Sequence, residues 1–208
     1  VNPYRSDAIE RLHQVKSDGA VLIKWIPAIM STDPSDPALK PFYEAMASLK
    51  LPLLTHVGQE KSFGHAEDHL GDPQRLKLAL DSGVIVIAAH IATTGKNAGE
   101  DNYDRLITLF SRYSNLYTDI SSLTQINKLG YLSRALKDGQ FTDRMVYGSD
   151  WPLQFFPLVS PWYHIGRAPI AGLWRVSTSK NKWDKDVRLK KSSGGPGFGV
   201  SSNGRNPR

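Results

Sequence analysis

The chain of 208 residues predicts an α/β fold built on a parallel sheet of about five strands, and three observations carry that expectation. Apolar, often β-branched runs alternate with segments of helical spacing. The repeat is about 30 residues, the length of one βα unit. The runs are continuously apolar instead of alternating, as strands covered on both faces are.

Taken in order, a helix pattern in "PYRSDAIERLHQVKSDG" precedes the first strand, "GAVLIKWIP". The helix "SDPALKPFYEAMASLK" leads to "LPLLTHVG", and "DPQRLKLALDSG" leads to "GVIVIAAHI". Then "NYDRLITLFSRY" precedes "NLYTDIS", and "TQINKLGYLSRALKDG" precedes "MVYGSDWP". Asp, Ser or Thr stands beside the first apolar residue of several helices, as N-caps do. Strands are expected at about 20–26, 51–57, 84–90, 116–120 and 145–149.

Composition narrows the function classes. Hydrophobic residues at 40% and charged residues at 22% are ordinary globular values. With no cysteine, a disulfide framework, a thiolate nucleophile and a soft metal site are excluded. No segment has the length and apolarity of a membrane span, so a cytoplasmic protein without membrane partners is expected. The net charge of +6 comes wholly from the end of the chain, since residues 165–208 carry 10 Lys and Arg against 2 Asp and Glu. That basic tail lacks interleaved aromatic stacking and any binding module, so it reads as a solvated end and not as a nucleic-acid site. Its glycines follow no strand, so they are not a phosphate loop. "TTGKN" lacks the earlier glycine and the Ser or Thr of such a loop.

Each of the five runs ends in a polar or ionisable group: Lys24, His56, His90, Asp119 and Asp150. In a parallel α/β fold the C-terminal strand ends share one edge, where catalytic groups gather. Two histidines and two aspartates at equivalent positions of successive repeats therefore form a constellation without being adjacent in sequence. Imidazole nitrogen and carboxylate oxygen are the usual ligands of a catalytic divalent ion, with one zinc the expected choice. Such an ion makes its water acidic enough to deprotonate near neutral pH, and a carboxylate at its edge takes the proton.

"LPLLTHVG", "VIVIAAHIATTG", "NLYTDIS" and "YGSDWP", in this order, resemble the last four strands of the amidohydrolase-related family of metal-dependent (β/α)8-barrel hydrolases and decarboxylases. The likeness runs from about residue 1 to Tyr163, with an echo of the family's closing helix in "NKWDKDVRLKK". It implies a fold that is the C-terminal part of a TIM barrel. The expected organisation is a partial barrel over 1–164, a helical segment of the same domain over 165–191 and a disordered basic tail over 192–208. The resemblance makes His56 and Asp150 metal ligands, Asp150 also the proton acceptor, and His90 a group that contacts the metal or polarises the substrate. Water carried by the metal would attack a carbonyl, amide or lactone carbon of a small molecule. A non-oxidative decarboxylase on the same scaffold and an inactive barrel-fragment binding protein are the alternatives, and an open doubly wound domain is disfavoured by its missing phosphate turn. The family's His-x-His pair occurs nowhere in these 208 residues. "GAVLIKWIP" then corresponds to the fourth strand, and a sheet with two open edges is expected to be marginal or to form homo-oligomers.

Several other residues have a bland reading beside a functional one. Lys24 binds a substrate carboxylate or is a snorkelling lysine, Asp119 orients its neighbours, and Trp151 precedes "LQFFPLVSPWYH", which is either ordinary packing under the mouth or the wall of a substrate pocket. His65 and His69 share a four-residue spacing without forming a zinc motif and belong to a solvent-facing loop or lid, and His13 is solvated on the first helix.

Overall fold

The computed structural model describes residues 1–60, 64–151 and 159–194. The chain divides into two units, one of Val1–Asp119 with Asp143–Val146 and a second of Ile120–Thr142 with Tyr147–Arg208.

The first unit holds the predicted sheet. In chain order its elements are α1 (Ala8–Ser17), β1 (Ile23–Trp25), α2 (Pro27–Met30), α3 (Lys40–Ser48), β2 (Leu53–His56), α4 (Lys77–Asp81), β3 (Val86–Ala89), the two-residue strands β4 (Lys96–Asn97) and β5 (Glu100–Asp101), α5 (Asn102–Phe110) and β6 (Leu116–Asp119). In the second unit lies α6 (Tyr131–Lys137), after which the chain returns to the sheet as β7 (Met145–Val146). The sheet order is β1-β2-β3-β6-β7 and every neighbouring pair is parallel. All five expected strands form, each shorter than its apolar run. The ladder extends only where two neighbours are in register, and of the apolar residues before the strands Leu51 and Val84 are buried whereas Val21 and Ile85 are exposed. Short 3₁₀ turns, which begin at Pro37 and Pro73, precede α3 and α4. Asp36 and Asp72 accept the amides of Ala38 and Gln74 at those starts.

Register determines which side chains share a face, because successive residues of a strand point to opposite sides. Ile23, Trp25, Leu53, Thr55, Val86, Ala88, Leu116 and Thr118 are all buried. Trp25 stacks on Phe42 of α3 with ring centroids 5.7 Å apart. Tyr103, Leu106, Leu109 and Phe110 of α5 are buried at helical spacing. The Thr118 hydroxyl is satisfied by donating to the Ala88 carbonyl at 2.7 Å. On the opposite face Lys24, Leu54, Ile87 and Tyr117 stand in one register row, with Lys24 exposed and the other three half-buried. The next row toward the C-terminal ends contains His56 opposite Ala89, and Asp119 opposite Val146.

The second unit is helical among its described residues. It comprises α6, a 3₁₀ turn at Pro161–His164, α7 (Ile170–Ser177) and α8 (Lys182–Ser193). Leu173 and Val176 of α7 pack with Leu189 of α8 and Ala168. A β-carbon on Gly172 would stand 2.8 Å from the Ser192 hydroxyl, so glycine permits this close helix approach. The segment expected to be helical over 165–191 contains α7 and most of α8, the second of which covers "NKWDKDVRLKK", and the tail from residue 195 lies outside the described residues.

Candidate active site

His56 ends β2 and His90 follows β3 directly, and both rings are buried at about the level of the strand ends. Their centroids are 5.2 Å apart in an edge arrangement. A carboxylate backs each ring on its Nδ1 side. Glu60 Oε2 lies 3.5 Å from His56 Nδ1, and Asp119 Oδ1 lies 3.8 Å from His90 Nδ1. The result is a row of Glu60, His56, His90 and Asp119, each under a tenth exposed. A carboxylate on the Nδ1 side is the arrangement found behind metal-ligating histidines.

The loops explain why the row forms. Gly58, at φ +90°, turns the chain after His56, and its amide donates to Gly71 O at 2.8 Å. Gln59 N donates to Thr94 O at 2.7 Å and Glu60 N to Asp68 Oδ1 at 3.0 Å, which returns Glu60 toward the ring four residues earlier. A β-carbon at Gly58 would stand 2.7 Å from Ala92 O, so the loops after β2 and β3 approach to a distance that only glycine tolerates. On the other side, His90, Ile91 and Ala92 all have positive φ, at 57°, 50° and 55°. Non-glycine residues rarely adopt that region, and such conformations cluster at functional sites. The turn is tied by the His90 amide donating to Asp119 Oδ1 at 2.9 Å and by the Thr93 hydroxyl donating to His90 O at 2.8 Å.

Asp150 belongs to the second unit, four residues beyond the end of β7. Its φ is +55°, and its Oδ2 accepts a hydrogen bond from the Ser122 hydroxyl. Trp151 is exposed and stacks on Trp183 of α8, with centroids 5.3 Å apart. Lys24, expected at a strand end, is instead the middle residue of β1, one register row before His56, because β1 continues to Trp25. His13, His65 and His69 are exposed as expected. The first half of "LQFFPLVSPWYH", residues 153–158, lies outside the described residues. Sequence reasoning missed Glu60 and Ser122. The four-residue spacing of His56 and Glu60 across a glycine was the available signal for the first, and Ser122 had none.

The donor set fits a divalent ion in kind, since it offers two buried, carboxylate-backed imidazoles. As a complete four-donor zinc site it does not suffice: among the described residues no group of three or more His, Asp or Glu side chains is placed to hold an ion. No helix of the described residues is long and apolar enough to cross a membrane.

A parallel β/α sheet whose strand ends carry this polar row defines part of a TIM barrel, and solved structures of that fold match it. An uncharacterized TIM-barrel protein from Bordetella bronchiseptica is 16% identical, with a TM-score of 0.56 over 89% of this chain and 62% of its own. A protein from Pseudomonas putida assigned as a 2-pyrone-4,6-dicarboxylic acid hydrolase is 13% identical, with a TM-score of 0.54 over 88% of this chain and 67% of its own. A 2,6-dihydroxybenzoate decarboxylase is 14% identical, with a TM-score of 0.47 over 88% of this chain and 66% of its own. The chain thus spans about two thirds of the length of these structures. No curated protein matches it. The family model described as amidohydrolase matches residues 3–162, and the chain belongs to that family.

Proposed function

We propose that the chain carries strand-end residues of a metal-dependent hydrolase acting on a carbonyl, amide or lactone carbon of a small molecule. The observation that supports this most is the buried row Glu60, His56, His90 and Asp119, in which both imidazoles are backed by carboxylates. His56 would hold a divalent ion, zinc by donor type, with Asp150 as a second ligand in keeping with the order of the family motifs. When bound, such an ion supplies a Lewis acid and an acidic water. His90, backed on its Nδ1 side by Asp119, would steady the oxygen on which negative charge develops. Asp150 would take the proton from the attacking water and return it to the leaving group.

Equilibrium dialysis against zinc tests the reading, using the chain together with His56→Ala and Asp150→Ala. Each substitution is expected to lower bound zinc by about tenfold or more at limiting metal. Unchanged zinc in both variants would remove it.

A further inference from the structure

A buried polar cluster in the second unit stands just upstream of Asp150. Lys190 of α8, only 1% exposed, donates Nζ to Asp186 Oδ2 at 2.7 Å and to the Gly148 carbonyl at 2.9 Å. Its ammonium also lies 4.7 Å from the centroid of the Tyr147 ring. The Tyr147 hydroxyl donates to Asp186 Oδ2 at 2.7 Å, and the Thr124 hydroxyl donates to Asp186 Oδ1 at 3.4 Å. Burial, reinforced by the bond to Asp186, pushes the Tyr147 phenol up from its ordinary range and keeps it a donor.

A lysine is rarely this buried unless its charge is balanced, and Asp186 one turn away balances it. The Gly148 carbonyl needs no charge, so the bond to it has another consequence. It holds the backbone two residues before Asp150, in a segment whose last residue sits at φ +55°. Non-glycine residues hold that conformation only when their surroundings fix it. Ser122 fixes the carboxylate from one side, and the cluster fixes the chain leading to it from the other.

We infer that Lys190, charge-balanced by Asp186, is a positioning residue that fixes the Tyr147–Gly148 backbone and thereby aims the Asp150 carboxylate. This rests on the reading of Asp150 as a working carboxylate. The test uses the full chain with Lys190→Met, and with the double variant Lys190→Met/Asp186→Asn, which leaves no single buried charge. Amide hydrogen exchange, the carbonyl ¹³C shift of Gly148 and a zinc titration are read in each. At 147–150, exchange is expected to quicken about tenfold while α7 keeps its protection, and zinc affinity is expected to fall about tenfold. Unchanged exchange and carbonyl shift in the double variant, loss of α7 protection in both variants, or wild-type zinc affinity despite the local loosening would each overturn the positioning role. Asp150→Ala is run in parallel: wild-type zinc affinity there would sink the reading of Asp150 itself, whatever the Lys190 variants show.

Discussion

Asp119 holds His90 by two atoms at once: its Oδ1 accepts the His90 amide at 2.9 Å and lies 3.8 Å from the Nδ1 of the same residue. One carboxylate thus ties the left-handed backbone at His90 and stands behind its ring. Asp119→Ala leaves a buried amide without its acceptor and is expected to cost about 1–3 kcal/mol. Asp119→Asn retains an oxygen acceptor and should recover most of that stability without restoring the charge behind the ring. Urea denaturation of both variants measures this, and equal losses would show that the amide bond is not what matters.

Gly58 and Gly19 separate conformational cost from close approach. Both have positive φ, at 90° and 94°, but an added β-carbon meets Ala92 O at 2.7 Å only at Gly58, with nothing within 4 Å at Gly19. Gly19→Ala is therefore expected to cost about 1 kcal/mol, the backbone contribution alone. Gly58→Ala adds overpacking of about 1–3 kcal/mol, because the loops after β2 and β3 have to separate. If chemical denaturation finds the two variants equally stable, the loops are not in tight contact.

Among the described residues the sheet ends in β1 on one side and β7 on the other, and the face opposite Trp25 presents Leu54, Ile87 and Tyr117 only half-buried. Open strand edges and apolar surface favour association. The chain is expected to self-associate in light scattering coupled to size exclusion, with Ile87→Lys shifting it toward monomer. A wild-type chain that stays monomeric as concentration rises would contradict this.

His164 in the second unit provides a pH dependence. Its Nε2 lies 3.1 Å from the Thr124 carbonyl, which makes that nitrogen the protonated one of a neutral ring. Burial holds its pKa below the usual value. A histidine that is harder to protonate when folded stabilises fully above about pH 6.5, the value in the unfolded chain, and the contribution falls as pH drops toward the lower folded value. Melting temperature should therefore decline on acidification below about pH 6.5, and His164→Gln, which can still donate to Thr124, should flatten that decline. Parallel pH profiles for the two proteins would exclude this histidine as the cause.

The alternation of strand and helix, the order of the five parallel strands and the positions of His56, His90 and Asp119 were legible in the residues. Apolar runs of strand length and helical spacing are local patterns, and a parallel sheet brings the strand ends to one edge by topology alone. Tertiary structure decided the rest. Glu60 reaches His56 only because Gly58 and Gln59 bond to Gly71 and Thr94 from other loops. His90 turns through three left-handed residues because Asp119, twenty-nine residues on, takes its amide. Lys190 looked like one charge in a basic helix, yet it is buried on a carbonyl forty-two residues earlier. Local periodicity records which face of an element is covered. Loop dihedrals and buried charges depend on partners distant in sequence, and no pattern within one segment encodes those partners.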